Sequence, residues 1–525
     1  MEKKFDFLVI GSGIAGLSYA LKVAEYGKVC ILTKSSILET NTNYAQGGIA
    51  AVMKEPDSIE KHISDTLKCG NGLCNEEIVR MVATEGPHCV KELISLGAKF
   101  DEMKAGDFNL AKEGGHTEHR ILHHKDHTGN EIQKVLTEKV RSHKNIEILE
   151  HHFTIDLITQ HHLGKKISRT TEGIECYGAY VLNINTNNIF TVLAKITLMA
   201  AGGNGNIYET TTNPSIATGD GIAMVYRAKG TIENVEFVQF HPTSLYNPGE
   251  RPSFLITEAL RGFGAILKSI DGEEFMGKYD KRESLASRDI VARAIDNEMK
   301  LKGDDFVYLD CSHLNNEELK ENFPNIYKKC FELGIDICKE PIPVVPAAHY
   351  MCGGIKIDEF GRTSIKNLYA AGENSSSGLH GSNRLASNSL TEAVVFADRA
   401  AKDSIKYLMD IELKENIPPW NDEGTSLTEE MVLITQTMKE LQQIMTYYVG
   451  IVRSDLRLNR AFDRLSLIYR ETDRLYRRSK ICIELCELRN AINNSYLIIK
   501  MAKRRKESIG LHYTMDYPEK NSVMR

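Results

Sequence analysis

The sequence has no apolar run of membrane-spanning length, no surplus of basic charge and no pair of cysteines at CxxC spacing. Each absence excludes something. Without about 20 consecutive apolar residues, no transmembrane helix is expected. Lysine and arginine number 65 against 71 aspartates and glutamates, a net charge of −6, so the broad positive field that nucleic-acid binding draws on is missing. The 11 cysteines are scattered, which indicates neither a zinc site nor a disulfide framework and fits a reduced, cytoplasmic protein. Cys482 and Cys486, one helical turn apart, read as core packing. Met1-Glu2-Lys3-Lys4 leads straight into an apolar run, so no cleavable signal is expected. What remains, 42% hydrophobic and 26% charged residues over 525 positions, is the composition of a globular protein of two or three domains.

The most informative stretch comes first. Phe5–Ile10 reads as a strand, Ile14–Tyr26 has helical periodicity, and Val29–Leu32 reads as a second strand. Between the first two lies Gly11-Ser12-Gly13-Ile14-Ala15-Gly16, a GxGxxG in its βαβ context. The first glycine makes the turn, the second admits a pyrophosphate, and the third lets helix and strand pack closely. The helix N-terminus offers N–H groups to the phosphates. An acid that would hold a ribose hydroxyl is expected after the second strand, but Thr33-Lys34 stands there. That weakens NAD and leaves FAD open, with Lys34 near the adenosine end. The loop Asn41-Thr42-Asn43-Tyr44-Ala45-Gln46-Gly47-Gly48, all amides, hydroxyls and glycine apart from one alanine, suits a polar cofactor lying along it.

Further on, residues 58–96 read as helical, with breaks at Gly70-Asn71-Gly72 and Gly86-Pro87. Five histidines lie between His116 and His127, but their spacings match no metal-ligand set, so no metal is expected. Ile196–Gly203 is an apolar strand running into glycines. Beyond Glu233, proline, glycine and aromatic residues increase, which sets a domain boundary. Residues 1–233 and 354–415 form one expected domain, 234–353 an inserted one and 422–525 a helical one. Within the insert, His241 precedes a proline, Glu258 and Arg261 lie three apart, and Arg288 opens a helix. Taken singly, these read as a satisfied core histidine, a surface ion pair and a solvated helix face. Asn367–Glu373 is a strand ending in Gly-Glu, and Leu379–Leu390 leads into a helix whose N–H groups can bond a flavin carbonyl oxygen.

Together, "GSGIAGLSYA", "LTK" and "NTNYAQGGIAAV" resemble the flavoprotein family of succinate dehydrogenase, fumarate reductase and L-aspartate oxidase. The "YAQGGIAAV" wording is closest to the L-aspartate oxidase branch. "KEGGHTEHR" resembles that branch's REGGHS loop, with Lys112 in place of arginine. "TTNPSIATGDGIAM", "VGIVRS", "ELRNAI" and "ESIGLHYTMDYP" carry the resemblance across nearly the whole chain. Ile509 stands where the branch has arginine, and Glu373-Asn374-Ser375-Ser376 departs from the usual GEVS.

The resemblance implies an α/β fold: a Rossmann-like FAD-binding domain, an inserted α+β capping domain and a C-terminal helical bundle. It implies FAD held by residues 11–16, Lys34, residues 41–48, Asp220 on the flavin side, Glu373, Ser389 and Leu390. The link would be non-covalent, because Asn41 stands where succinate dehydrogenases have the attaching histidine. His241, Thr257, His349 and Arg384 would hold a dicarboxylate, the histidines as hydrogen-bond donors. Arg288 would move a proton with Glu258 and Arg261 as relay, and Glu113 would face a substrate amine. The implied reaction is L-aspartate to iminosuccinate, with oxygen or fumarate as acceptor and quinolinate synthase taking the product toward NAD. The alternatives are a soluble fumarate reductase or succinate dehydrogenase flavoprotein, and an inactive flavin-binding scaffold.

Overall fold

A computed structural model describes residues 2–518, apart from 104–105, 126 and 428–429. Its central element is a seven-stranded sheet. Glu2–Ile10, Val29–Thr33, Ile146–Glu150, Asn188–Met199 and Leu368–Ala370 run parallel, and Gly178–Asn183 and His152–Ile158 extend the sheet antiparallel. The parallel strands are covered on both faces, which explains why Phe7-Leu8-Val9-Ile10 and Val29–Leu32 are continuous rather than alternating apolar runs. Helices Ile14–Val23 and Asn388–Tyr407 pack together on this sheet.

The turn after the first strand is dictated by space. Gly11 has φ +110°, and a Cβ there would lie 2.0 Å from the Ala200 carbonyl oxygen on the neighbouring strand's exit. A Cβ on Gly16 would lie 2.2 Å from the Gly11 carbonyl oxygen. Gly16 is therefore a packing residue. The helical break at Gly86-Pro87 does not occur: one helix runs Glu76–Leu96 through Pro87. Proline forfeits one backbone bond, but the helix lies against Asn388–Tyr407, and Gly86 gives the Thr391 methyl its room. Packing along 21 residues outweighs the local preference.

Between Glu233 and Gly354 the chain builds a second, antiparallel sheet in the order Val238–Leu245, Ile342–Met351, Val307–Asp310, Ile266–Lys268. It has its own core, which includes Leu260, Ile295, Leu309 and Val344. The chain leaves and re-enters the first unit on two strands that pair with each other, Ile232–Glu233 against Gly354–Lys356. Helices Met431–Ile444, Asp455–Arg478 and Ile483–Arg504 complete the fold. Their core residues, among them Leu441, Leu465 and Ile498, join the core of the first sheet instead of forming a separate one. All 11 cysteines are free, and Cys486 packs in a small apolar cluster.

Three histidines outside the cleft are buried within polar networks. His62 Nε2 donates to Asn388 Oδ1, and His512 Nδ1 accepts from Arg453. Burial depresses the pKa of His62 and His116 to about 4, and burial with Arg453 depresses that of His512 to about 3. The folded state therefore refuses protons that the unfolded chain takes up near pH 6.5. This contribution is fully present above pH 6.5 and falls as pH drops, by roughly 1.4 kcal/mol per pH unit for each histidine. Glu373, whose pKa burial raises, works in the opposite sense. Urea midpoints between pH 7.5 and 5 should therefore fall on acidification. His62→Gln, which keeps the donor to Asn388, should flatten the slope by about one proton's worth. An unchanged slope in that variant would show that His62 is not held neutral.

Candidate active site

The two sheets and the loops joining them enclose a cavity of about 1470 Å³. Ordinary ligand pockets run to about 1,000 Å³, so this one has room for a dinucleotide and a small substrate. One wall is the glycine-rich turn, Gly11 to Ala15, with Ala200–Gly202 beside it. Gly13 caps the following helix without a side-chain bond, which leaves backbone N–H groups and the positive dipole end at the cavity. Asn41, Thr42, Tyr44, Ala45, Gln46, Gly47 and Gly48 also line it, as do Glu373, Ser389 and Leu390. Asn43 does not: its side chain accepts from Asn130. Gly16 lies behind the turn, as its packing role requires.

The polar groups on this wall suit FAD. Glu373 is a carboxylate lining the cavity, its pKa raised by burial, and it accepts from Asn41 Nδ2 at 2.7 Å and Met351 N at 3.2 Å. Asn41 Oδ1 is buried with no partner. An acceptor without a donor and a hydrogen-bonding carboxylate are what a hydroxyl-rich flavin chain would satisfy.

Asp220 also lines the cavity, where its carboxylate meets Lys34 Nζ at 2.7 Å, at the end of the second parallel strand. Lys34 itself also binds Thr218 at 2.6 Å and Glu487 at 2.6 Å, so its charge is balanced from within the protein. Asn490 Nδ2 donates to Asp220 at 2.8 Å, so the helix Ile483–Arg504 backs this end of the cavity.

At the other end, His241, Thr257, Glu258, Arg288, His349 and Arg384 come together around one space. His241 Nδ1 lies 2.9 Å from the Thr243 carbonyl oxygen and 3.3 Å from the Thr243 backbone nitrogen, so the backbone of Thr243 fixes the ring. Burial, then Arg288, keeps the ring neutral with a pKa well below the usual value. His349 Nδ1 is 2.8 Å from Thr212 Oγ1, and burial with Arg384 keeps it neutral too. Arg384 is braced on three sides. Nε and Nη2 donate to Gln239 Oε1 at 3.1 and 2.9 Å, Nη1 donates to Ser389 at 2.9 Å, and the guanidinium lies 4.4 Å over the Tyr350 ring.

Arg288 Nε donates to Glu258 Oε2 at 2.5 Å, and Arg261 stands 3.7 Å from the other oxygen. Burial opposes the charge on Arg288, but Glu258 and Glu113 outweigh it and hold the pKa above normal. Burial alone would raise the Glu258 carboxyl, yet Arg288 and Arg261 bring it below its usual range. Arg261, fully buried, does not line the cavity and is depressed by burial. It acts behind Glu258.

Glu113 lines the same space and accepts from Ser387 Oγ at 2.5 Å. A Cβ on Gly47 would lie 2.7 Å from Glu113 Oε1, so the glycine there makes room for the carboxylate. Gln239, Ser387 and Tyr350 were not singled out from the sequence. Gln239 could have been found, two residues before His241 on one strand, whereas nothing marked Ser387 among the hydroxyls around it. The histidine-rich stretch brings His123 and His127 to the cavity edge, and His123 pairs with Asp101 at 3.2 Å. Among the described residues, no group of three His, Cys, Asp or Glu side chains is placed to hold a metal.

Residues 6–390 match the FAD binding domain family, and residues 438–524 match the fumarate reductase flavoprotein C-terminal family. An L-aspartate oxidase of Vibrio cholerae is 47% identical over 99% of this chain and 96% of its own length. A chloroplastic L-aspartate oxidase of Arabidopsis thaliana is 45% identical over 98% and 82%. Among solved structures, Mycobacterium smegmatis Sdh1 superposes with a TM-score of 0.84 at 32% identity, covering 99% of this chain and 90% of that one. Mutant FrdA of the E. coli quinol fumarate reductase also gives 0.84, at 28% identity over 100% and 93%. With a glycine-rich FAD wall at one end of the cavity and a cluster of arginines and neutral histidines at the other, this chain belongs to the succinate dehydrogenase and fumarate reductase flavoprotein family, in its L-aspartate oxidase branch.

Proposed function

We propose that this chain oxidises L-aspartate to iminosuccinate, with FAD held non-covalently and with fumarate or oxygen as the final acceptor. The carrying observation is the position of Glu113. It lines the substrate end of the cavity, close enough to Arg288 to raise that group's pKa. A carboxylate there repels succinate and fumarate, whereas the ammonium of aspartate pairs with it. The curated relatives named L-aspartate oxidase match the chain end to end, which supports the same substrate.

FAD, when bound, supplies the acceptor for the two electrons that leave with the Cα hydrogen. The protein does the rest. Arg384, pre-set by Gln239 and Tyr350, pairs with one carboxylate of the substrate, and Thr257, His349 and Arg288 surround the remainder. His241, its Nδ1 engaged by the Thr243 backbone, is the hydrogen-bond donor to a carboxylate through Nε2. Glu113 accepts a proton from the amine, which lets the C=N bond form as the Cα hydrogen departs. In the reverse sense, fumarate reduction needs a proton at the second carbon. Arg288 is placed to deliver it, and Glu258 at 2.5 Å is the route by which it is replaced.

Residues 234–353 are the cap over this site, and the C-terminal helices back the adenosine end. Iminosuccinate is hydrolysed readily in water, so a quinolinate synthase that consumes it for NAD synthesis is the fitting partner. Among the described residues no helix is long and apolar enough to cross a membrane, and with 11 free cysteines the cytoplasm suits the enzyme.

Acid precipitation should leave the yellow flavin in the supernatant, and flavin retained in the pellet would mean a covalent link. Glu113→Gln keeps the size and the Ser387 contact but removes the charge. Aspartate oxidation should fall about ten- to a hundredfold, the worth of one charge-assisted hydrogen bond of roughly 1.5–3 kcal/mol. Fumarate reduction should hold or improve. If both fall together on one preparation, Glu113 does not read the amine.

A further inference from the structure

The side chain assigned to the amine is set by buried groups that do not line the cavity. Arg120 has no exposed surface. Its Nε and Nη2 fork onto Asp57 at 2.9 and 2.8 Å, and Nη1 reaches Asp65 at 2.5 Å. Asp65 in turn accepts from the Thr117 backbone and hydroxyl, at 2.8 and 2.9 Å. The loop carrying Glu113 is therefore anchored without using Glu113.

A guanidinium can only donate. The remaining contact of Arg120 Nη1, at 2.9 Å from His116 Nδ1, therefore makes that nitrogen an acceptor. The ring proton then sits on Nε2, which donates to the Ala386 carbonyl oxygen at 2.8 Å. Burial, helped by Arg120, keeps this tautomer neutral. Ala386 is followed by Ser387, whose φ of +60° is a conformation that side-chain-bearing residues rarely adopt. From that conformation Ser387 Oγ reaches Glu113 Oε2. Glu113 and His116, three residues apart, thus grip two adjacent residues of the segment that leads into the helix Asn388–Tyr407.

We propose that Asp57, Asp65, Arg120 and His116 form a specificity strut: by pinning the Ala386 carbonyl, His116 holds Ser387 in its left-handed conformation and so aims Glu113 at the substrate amine. His116 and Arg120 are positioning residues. They govern the preference for aspartate over a dicarboxylate without an amine, and the proposal rests on the reading of Glu113 given above.

Two conservative variants separate the bonds of His116. His116→Gln can keep the donor to Ala386, whereas His116→Asn can keep the acceptor for Arg120 but is too short to reach Ala386. The full chain with FAD is assayed for aspartate oxidation and fumarate reduction on one preparation. Hydrogen exchange of the peptide spanning 384–390 is read alongside. In H116N the ratio of aspartate oxidation to fumarate reduction should fall about tenfold or more, the scale expected when a reacting group is displaced by an ångström. The 384–390 amides should exchange faster. H116Q should keep the wild-type ratio and protection. Ser387→Ala, which removes only the hydroxyl that bonds Glu113, should lower the ratio in the same direction.

Equal losses of both activities in H116N, or an unchanged ratio with faster exchange, would overturn the proposal. So would an H116Q variant that behaves like H116N. Absence of aspartate turnover in the wild type is a different result, and it would overturn the reading of the reaction itself.

Discussion

The substrate end of this molecule is governed by charge balance in a confined space. Three guanidiniums, Arg261, Arg288 and Arg384, gather there with two carboxylates, Glu113 and Glu258, while His241 and His349 are kept neutral. The set therefore carries one positive charge in excess. An amino dicarboxylate with its ammonium carries one net negative charge and completes the balance. Succinate and fumarate carry two and overshoot it. In a partly desolvated cavity an unbalanced charge is costly, so the fixed groups discriminate before any chemistry begins.

That balance also bears on how an arginine can handle a proton. Arg288 is held more firmly protonated than a free guanidinium, which makes it a poor base in isolation. Its Nε donates to Glu258, and Arg288 together with Arg261 behind it holds that carboxylate ionised. In the mechanism proposed above, the unit that would exchange a proton is thus the Arg288–Glu258 pair, with Arg261 stabilising the anionic form. At the opposite end, Lys34 shows the same economy: its charge is answered by Asp220 and Glu487, drawn from two distant parts of the chain.

What the sequence made legible was what local chemistry encodes. The glycine turn could be read because Gly11 and Gly16 are required by backbone contacts of 2.0 and 2.2 Å for any added Cβ. The cluster of His241, Thr257, Glu258, Arg288, His349 and Arg384 was legible through a family resemblance, not through spacing, since these residues span more than a hundred positions. The partner of Asp220 was hidden from the sequence for the same reason. Its ion pair with Lys34 bridges 186 positions, and no local pattern reports such a contact. Pro87 misled because a proline's local preference was set against packing that only the fold supplies. The setting of His241 depends on the Thr243 backbone, whose direction is set by the strand, and the Arg120 network depends on Asp57 and Asp65 meeting it from an earlier helix and its approach.

The claim on which the account turns is that the site is built for an amino dicarboxylate. Steady-state kcat/KM for L-aspartate and for succinate, measured on the same FAD-loaded preparation with the same acceptor, tests it most directly. L-aspartate should be preferred by at least about tenfold, the least that one lost charge-assisted contact allows. A succinate value equal to or above that for L-aspartate would contradict the account.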